Sequence, residues 1–303
     1  MAMRSCGRLL RRGAQFVRLG NADRKAAGGE LDAGFERIAQ RELIDGTQTR
    51  EQNRQFNRSL MTSAKDKAAK VALERAGFEV GVRTTGAVAI DVGPEYPVAA
   101  VLLPGDTVVA ADGEPVEAVE DLVAVIATHQ PGDSMELTLE ALGTGETRTV
   151  DAELVARPDD PERAMLGVTL ESRPAYDFPV DVAIDSGTVG GPSAGLAFSL
   201  AILDRLTPGL LTGGERIAVT GTIELDGSVG RVGGVRQKTE AAIRAGARVF
   251  LVPGDELAEA VTAADGRIEV RPVATLEDAL DVLADLGGDP VPAPDAAAAP
   301  TGG

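Results

Sequence analysis

Val189-Gly190-Gly191-Pro192-Ser193-Ala194-Gly195-Leu196 is the stretch from which the organisation of this chain can be worked out. Pro192 suits the first turn of a helix, because a proline has no N–H to pair and its φ is already near the helical value. The range Ser193 to Leu206 then places leucines at helical spacing. The sequence therefore predicts a serine at the positive end of a helix dipole, beside backbone N–H groups suited to an oxyanion. Gly191 and Gly195 would let another backbone approach closely.

Ser193 has three interpretations on this run alone. In the first, it is the N-cap of the helix, the commonest role of a serine at such a position. In the second, Gly191-Pro-Ser-Ala-Gly195 is the nucleophile elbow of α/β-hydrolases, which also needs a histidine after the serine. The sole histidine, His129, precedes Ser193, so the elbow is excluded. In the third, the run cradles a phosphate, but the chain has no G-x-x-x-x-G-K-[ST] sequence and the loop holds a single serine.

A lysine stands at the start of a second glycine-led helix, in Gly233-Gly234-Val235-Arg236-Gln237-Lys238. We expect this helix over Val235 to Ala245. Because no histidine follows Ser193, Lys238 is the leading candidate for its general base. Apolar neighbours would lower the pKa of Lys238 by desolvation, as a neutral base requires. The alternative is a solvated surface lysine.

Composition excludes several classes of protein. The 303 residues, 44% hydrophobic and 25% charged, fit a globular protein with room for two domains. The net charge of −17 argues against nucleic acid as a partner, since phosphate binding needs a basic face. The first 75 residues are locally basic, which fits a solvated helical arm or contact with an anionic membrane surface. Cys6 and His129 are the only residues of their types, so we expect no disulfide, metal site or cofactor.

The order of apolar patterns and turn residues predicts an α+β chain with two domains. In the first domain, short strands surround one helix at about 118–128, and Asp112-Gly113 makes a tight turn. In the second domain, the last elements are a buried strand over Val249–Pro253 and an amphipathic helix over Leu276–Leu283. The predicted segments are an Arg-rich, weakly ordered leader (1–45), a helical segment (46–77), the first domain (78–157), a Pro- and Asp-rich linker (158–164), the second domain (165–286) and a disordered tail (287–303).

The first domain resembles a PDZ domain of the bacterial type. The resemblance lies in Leu103-Pro-Gly-Asp-Thr-Val-Val-Ala-Ala-Asp-Gly-Glu-Pro-Val116, followed by the expected helix and strand. It implies capture of an extended peptide as an added strand beside a helix-lined groove. A Gly-Φ-Gly-Φ loop for a terminal carboxylate is not evident in Gly81-Val-Arg-Thr-Thr-Gly86, so binding of chain ends and of internal segments both stay open. A packing module without a ligand is the alternative.

The second domain resembles the proteolytic domain of the Lon family over nearly all of 165–286. Six segments carry the resemblance in order: Phe178–Ile184, Gly190–Leu196, Leu206–Gly209, Ile217–Ile223, Gly227–Lys238 and Ala241–Pro253. With the PDZ unit ahead, the chain is most similar to the PDZ-containing Lon-like proteases of Gram-positive bacteria. The resemblance implies α/β layers like those of the second domain of ribosomal protein S5.

The family pattern assigns roles to residues of this chain. It makes Ser193 the nucleophile and Lys238 the base, and it places Thr220 beside the lysine, which it orients. Gly191, Ala194 and Gly195 would supply the oxyanion site and close backbone approach.

The resemblance thus implies a serine endopeptidase that cleaves unfolded or exposed polypeptide segments through a Ser-Lys dyad, with substrate captured by the PDZ domain. The alternative is a PDZ scaffold whose Lon domain is idle. The resemblance also implies a homo-oligomer, with a hexameric ring as the form found in the family. No Walker A sequence occurs, so we expect no ATPase module. Relatives begin with a membrane-spanning segment; the sequence as written shows neither an anchor nor a signal peptide.

Overall fold

The computed structural model describes residues 16–19, 50–141, 145–186 and 191–293. These fall into two compact units. The first unit holds residues 50–59 and 81–177, and the second unit holds 16–19, 60–80 and 178–293. The Cys6 position and most of the predicted leader lie outside the described residues, as do 294–303 of the predicted tail.

The described strands are β1 (Phe16–Leu19), β2 (Gly81–Val92), β3 (Thr107–Ala111), β4 (Glu114–Pro115), β5 (Ser134–Glu140), β6 (Thr147–Glu153), β7 (Val155–Ala156), β8 (Ala164–Met165), β9 (Val168–Asp177), β10 (Asp181–Ile184), β11 (Ile217–Val219), β12 (Val249–Pro253) and β13 (Glu269–Val273). The described α-helices are α1 (Arg50–Arg75), α2 (Val119–Ile126), α3 (Gly195–Leu206), α4 (Val235–Arg244), α5 (Leu257–Ala264) and α6 (Leu276–Asp285). Short 3₁₀ turns occupy Pro97–Ala100 and Gly254–Glu256.

The first unit is a sheet of six strands in the order β6-β5-β3-β2-β9, with β4 paired to β3. Alternate residues of β5, among them Met135, Leu137 and Leu139, are fully buried against α2. This period of two marks a sheet with one face on the core. The predicted tight turn is confirmed, since Asp112 and Gly113 have φ of 49° and 80°. Such a pair of positive φ values is typical of the turn that matches the twist of a hairpin.

Strand β9 is an unexpected member of this sheet. It pairs antiparallel with β2 along the full length of β2, from Gly81 opposite Asp177 to Val92 opposite Val168. The sequence pattern predicts that the first domain ends at 157, that a linker follows it and that the residues of β9 belong to the second domain. In the structure β7 and β8 pair across the expected linker, and the compact unit extends to Asp177. The physical reason is that β2 would otherwise leave a row of backbone N–H and C=O groups without strand partners.

The second unit is built on the parallel sheet β11-β12-β13. Ile217 and Val219 of β11 belong to an apolar cluster with α3 and α6, whereas Ala218 between them belongs to a cluster with α4 and α5. Because successive side chains of a strand point to opposite faces, α3 and α4 lie on opposite faces of this sheet. The predicted strand over Val249–Pro253 and the predicted α4 and α6 are confirmed.

Two segments near the ends of the chain are more ordered than the sequence predicts. Within the expected leader, β1 pairs in parallel with β10. Within the expected disordered tail, Asp289 exchanges hydrogen bonds with Leu210, and Arg75 binds the carbonyl of Pro292 at 2.7 Å. Val291 is buried in the core, and its packing there anchors the first part of the expected tail. The local composition of the tail does not indicate this long-range contact. Among the described helices, none is long and apolar enough to cross a membrane.

Candidate active site

Ser193 lies in a turn that precedes α3 rather than in the helix itself. Helix α3 begins at Gly195 and its N-cap is Ala194, with no side-chain cap hydrogen bond. The turn is closed by the Gly195 N–H, which donates to the Pro192 carbonyl at 3.1 Å, and Gly191 enters it with φ of 83°. The predicted helix over Ser193–Leu206 therefore starts two residues too early, because Pro192 begins the turn and not the helix. The N-cap interpretation of Ser193 is excluded by the same geometry.

Two donors fix the peptide group of Ser193 at the carboxyl end of β11. The Gly221 N–H donates to the Ser193 carbonyl at 3.1 Å, and Thr220 Oγ1 donates to the same oxygen at 3.1 Å. In return, the Gly221 carbonyl accepts from the Leu196 N–H at 3.2 Å. The turn and the end of the strand are thus joined from both sides, which fixes the position of the Ser193 backbone relative to β11.

The three residues assigned to the oxyanion site have different roles in the structure. The Gly195 N–H is occupied by Pro192, so it is not available to an oxyanion. Gly195 instead permits close packing, since a Cβ there would lie 2.8 Å from the Ile223 backbone nitrogen. Within the described residues the Ala194 N–H has no backbone acceptor, which makes it the candidate oxyanion donor. Gly191 supplies the positive φ that the turn needs.

Lys238 lies in the first turn of α4, whose N-cap Gly234 has a left-handed conformation with φ of 69°. The side chain is partly buried, and desolvation lowers the pKa of its amine below the ordinary value. The segment before α4 returns to the carboxyl end of β11, because Thr222 and Gly230 exchange backbone hydrogen bonds. Ser193 is bound at the end of β11, and Lys238 lies in the first turn of the helix that connects β11 to the parallel strand β12. This topology directs both residues toward the carboxyl edge of the sheet, where open α/β sheets place their ligands.

Thr220 is found on the serine side of this arrangement. Its hydroxyl proton is directed at the Ser193 carbonyl, and the residue is almost fully buried. A hydroxyl oxygen keeps lone pairs after donating, so it can also accept from an ammonium group. Orientation of Lys238 by Thr220 remains a prediction, whereas its contact with Ser193 is seen directly.

Glu256 is a further residue of the candidate site that the sequence pattern does not indicate. It follows β12 and is only 4% exposed, and its Oε1 accepts from the Val232 N–H at 2.8 Å. Its Oε2 is buried and has no hydrogen-bond partner among the described residues. The negative charge opposes desolvation by raising the pKa of Lys238. Short-range pattern gave no signal for this residue, because a glutamate after a strand is ordinarily exposed.

His129 has a structural role in the first unit. Its Nδ1 lies 3.1 Å from the Val125 carbonyl, and its Nε2 lies 3.0 Å from Asp112 Oδ2. In the part of the chain that the structure describes, no three His, Cys, Asp or Glu side chains are grouped in a way that could hold a metal ion.

Family models match both units. Residues 165–285 match the C-terminal proteolytic domain of Lon protease (S16), and residues 74–154 match the PDZ domain. The Lon match begins before β9, so β9 belongs to the proteolytic domain by sequence and to the PDZ sheet by pairing.

Curated relatives agree with the first of these matches. A Lon protease of Methylocella silvestris is 35% identical over 133 residues, covering 44% of this chain and 16% of the relative. A Lon protease of Xanthomonas oryzae is 29% identical over 165 residues, covering 54% of this chain and 19% of the relative. The chain thus spans less than a fifth of the length of these relatives. Among solved structures, the PDZ domain of the SdrC-like protein from Listeria monocytogenes is 22% identical, covering 28% of this chain and 87% of that one with a TM-score of 0.26.

Proposed function

The chain combines a PDZ domain with the C-terminal proteolytic domain of the Lon protease family, and we propose that it is a serine endopeptidase with Ser193 as nucleophile and Lys238 as general base. The observation that supports this proposal is the attachment of Ser193 to the end of β11, from which the chain leads into the helix that carries Lys238. Ser193 is held there by donors from Thr220 and Gly221. Lys238 has a pKa lowered by burial, as a base at neutral pH needs.

The reaction begins when Lys238 Nζ takes the proton of Ser193 Oγ as this oxygen attacks a peptide carbonyl carbon. The negative charge on the tetrahedral carbonyl oxygen is stabilised by the Ala194 N–H at the positive end of α3. The C–N bond then breaks, and the leaving amine takes the proton from Lys238. In the second half, Lys238 removes a proton from water as the water oxygen attacks the carbonyl carbon of the acyl-serine. The ester C–O bond then breaks, Ser193 Oγ takes the proton back from Lys238, and the carboxylic acid product ionises by releasing its remaining proton to solvent.

Substrates of this reaction are polypeptides, as the Lon relatives imply, and unfolded or exposed segments are the class we propose. The PDZ domain would hold such segments by strand addition. A homo-oligomer, with the hexameric ring as its form, is part of the same proposal. The competing function is a PDZ scaffold with an idle Lon domain.

Cleavage of unfolded casein by the purified chain separates the two functions. We expect Ser193→Ala and Lys238→Ala to abolish cleavage, because each removes one half of the proton transfer. Matched controls are Ser134→Ala on β5 and Lys70→Ala, whose amine pairs with Glu74 on α1. Both controls should retain full activity. Full activity in Lys238→Ala would refute the dyad, and inactivity of the unmodified chain would favour the scaffold.

A further inference from the structure

Strand β9 occupies the edge of the PDZ sheet that would otherwise be free. The strand order is β6-β5-β3-β2-β9, so without β9 the edge strand would be β2. Helix α2 flanks this edge, and its first residue, Val119, donates its N–H to Ser172 Oγ of β9 at 3.0 Å. We define the PDZ groove as the space between β2 and α2.

PDZ domains take their ligands as an added strand on an exposed sheet edge. Strand β9 is added in just this manner, antiparallel to β2 and beside α2. We propose that β9 is an intramolecular ligand of the PDZ groove, and that a second peptide enters the groove only by displacing β9. This inference is independent of the protease proposal, because it concerns binding alone.

Side chains of β9 alternate between the two faces of the sheet, as those of a bound peptide would. Ser172 lies opposite Ala87 and Leu170 lies opposite Ala89, so both share the face of β2 that is buried in the core. Leu170 packs against the apolar cluster of this unit. Glu171, opposite Val88 on the other face, is exposed. In a peptide that takes the place of β9, the side chains at the inward positions would therefore determine specificity, and those at the outward positions would have little effect on binding.

Arg173 clamps β9 to the sheet. Its Nε donates to Thr85 Oγ1 at 3.0 Å, and its Nη2 donates to the Thr85 carbonyl at 2.9 Å. Its Nη1 donates to Glu140 Oε1 at 2.7 Å, and the ion pair is partly buried. Charge-assisted bonds of this kind are the stronger class of hydrogen bond. The clamp sits at the point where the β2–β9 register shifts, between Thr84 and Ala87.

The path of β9 decides which kind of segment the groove accepts. The strand does not end beside α2 but continues from Ser172 to Asp177, which lies opposite Gly81. A bound chain can therefore pass through the groove without a terminal carboxylate. This geometry favours internal segments over chain ends, the alternative that the sequence left open.

Strand β9 leaves part of the PDZ groove unfilled. An open cleft of about 600 Å³ is lined by Val123 and Ile126 of α2 and by Val168 and Leu170 of β9. A competing segment with a larger apolar side chain at the position of Val168 would bury more surface there than β9 does. The ligand class is thus an extended internal segment with apolar residues at the positions of Val168 and Leu170 and a hydroxyl at that of Ser172.

The test uses the full chain carrying Ser193→Ala, so that no peptide is cleaved, and Cys6→Ser, so that added thiols are the only ones. The probe is a fluorescent synthetic peptide with the sequence of residues 166–175, read by anisotropy. Val88→Cys with Glu171→Cys places two thiols on directly opposed residues of β2 and β9, within the range that a disulfide can span. Glu136→Cys with Asp151→Cys is the matched lock, since it joins the opposed residues of β5 and β6 away from the groove.

We expect the reduced Val88/Glu171 variant to bind the probe and the oxidised variant to bind it at least about tenfold more weakly. The probe binds only those molecules in which β9 has left the groove, and the disulfide prevents β9 from leaving. The β5–β6 lock should leave binding unchanged. Arg173→Ala should bind the probe about tenfold more tightly, and a probe with phenylalanine at the Val168 position should bind about threefold more tightly than the native sequence.

Four results would overturn the proposal. The first is a failure of the Val88/Glu171 disulfide to form, since this would place β9 elsewhere. The second is equal probe affinity in the oxidised and reduced chains. The third is an Arg173→Ala chain that binds no better than its parent. The fourth is absence of probe binding in every variant, because a groove that never exchanges β9 is not a binding site.

Discussion

Thr220 Oγ1 donates a hydrogen bond to the backbone carbonyl of Ser193 at 3.1 Å, which ties the proposed nucleophile to the end of strand β11. The same carbonyl accepts from the Gly221 N–H. The threonine therefore acts on the position of the serine backbone, whatever it contributes to Lys238.

Thr220→Val should lower kcat on a peptide substrate about tenfold with little change in KM. The substitution removes one of the two donors to Ser193, and a tenfold loss equals about 1.4 kcal/mol of transition-state stabilisation. Thr207→Val is the control, since it removes a similar hydroxyl bond to the Leu203 carbonyl at the end of α3. Steady-state kinetics and a thermal melt of both variants check the prediction. Equal losses of kcat in the two variants would contradict a positioning role.

Gly195→Ala should damage the site even though alanine favours helices. A Cβ at this position would lie 2.8 Å from Ile223 N and 2.9 Å from Ile223 Cγ2. The start of α3 must then move away from the segment after β11, and overpacking of this kind costs about 1–3 kcal/mol. We expect a lower free energy of unfolding and a loss of proteolysis. Gly254→Ala meets nothing within 4 Å and serves as the control; a Gly195→Ala chain as stable and active as this control would refute the packing argument.

Glu256→Gln should shift the pH dependence of kcat/KM to lower pH. The base form of Lys238 is the deprotonated one, so activity rises as pH passes through the pKa of its amine. Burial lowers that pKa, and the negative charge of Glu256 raises it in part. Removal of the charge leaves desolvation unopposed, so the pKa of Lys238 falls further. The deprotonated base then forms at lower pH, and the rise in activity shifts to lower pH with it.

The glutamine at 256 can still accept from the Val232 N–H, so the loop before α4 keeps its anchor. Glu240→Gln on α4 is the control, because Glu240 pairs with Arg244 and Arg267. Its pH profile should match that of the unmodified chain. A profile of Glu256→Gln that stays in place, or moves to higher pH, would show that Glu256 does not act on Lys238.

Thr275→Ala should lower the free energy of unfolding by about 1 kcal/mol, since it removes the N-cap of α6. Thr275 Oγ1 accepts from the Asp278 N–H at 3.1 Å, and Asp278 Oδ2 accepts from the Thr275 N–H at 3.0 Å, which is a capping box. Thr262→Ala is the control, because its hydroxyl only bonds the Ala258 carbonyl within α5. Chemical denaturation followed by circular dichroism measures both, and equal stabilities would refute the cap.

The sequence by itself predicted the order of the elements and the two domain types. Helical spacing placed α4 and α6, the Asp112-Gly113 pair placed a tight turn, and the apolar run at Val249–Pro253 placed a buried strand. These features depend on local backbone preferences and on a periodic apolar face, both of which are written in consecutive residues. The proposed roles of Ser193 as nucleophile and Lys238 as base also came from sequence motifs made of consecutive residues.

Only the tertiary structure decided how those parts are used. Glu256 enters the site through burial beside α4, and Thr220 reaches Ser193 across a gap of many residues. Strand β9 carries the sequence of one domain and completes the sheet of the other. Each of these features depends on contacts between residues that are far apart in the sequence: strand pairing, hydrogen bonds and interactions between charges. The free energy of such a contact depends on which groups lie next to each other in the folded chain. A local sequence pattern does not contain that information, and the fold supplies it by closing the sheet edge and burying the carboxylate.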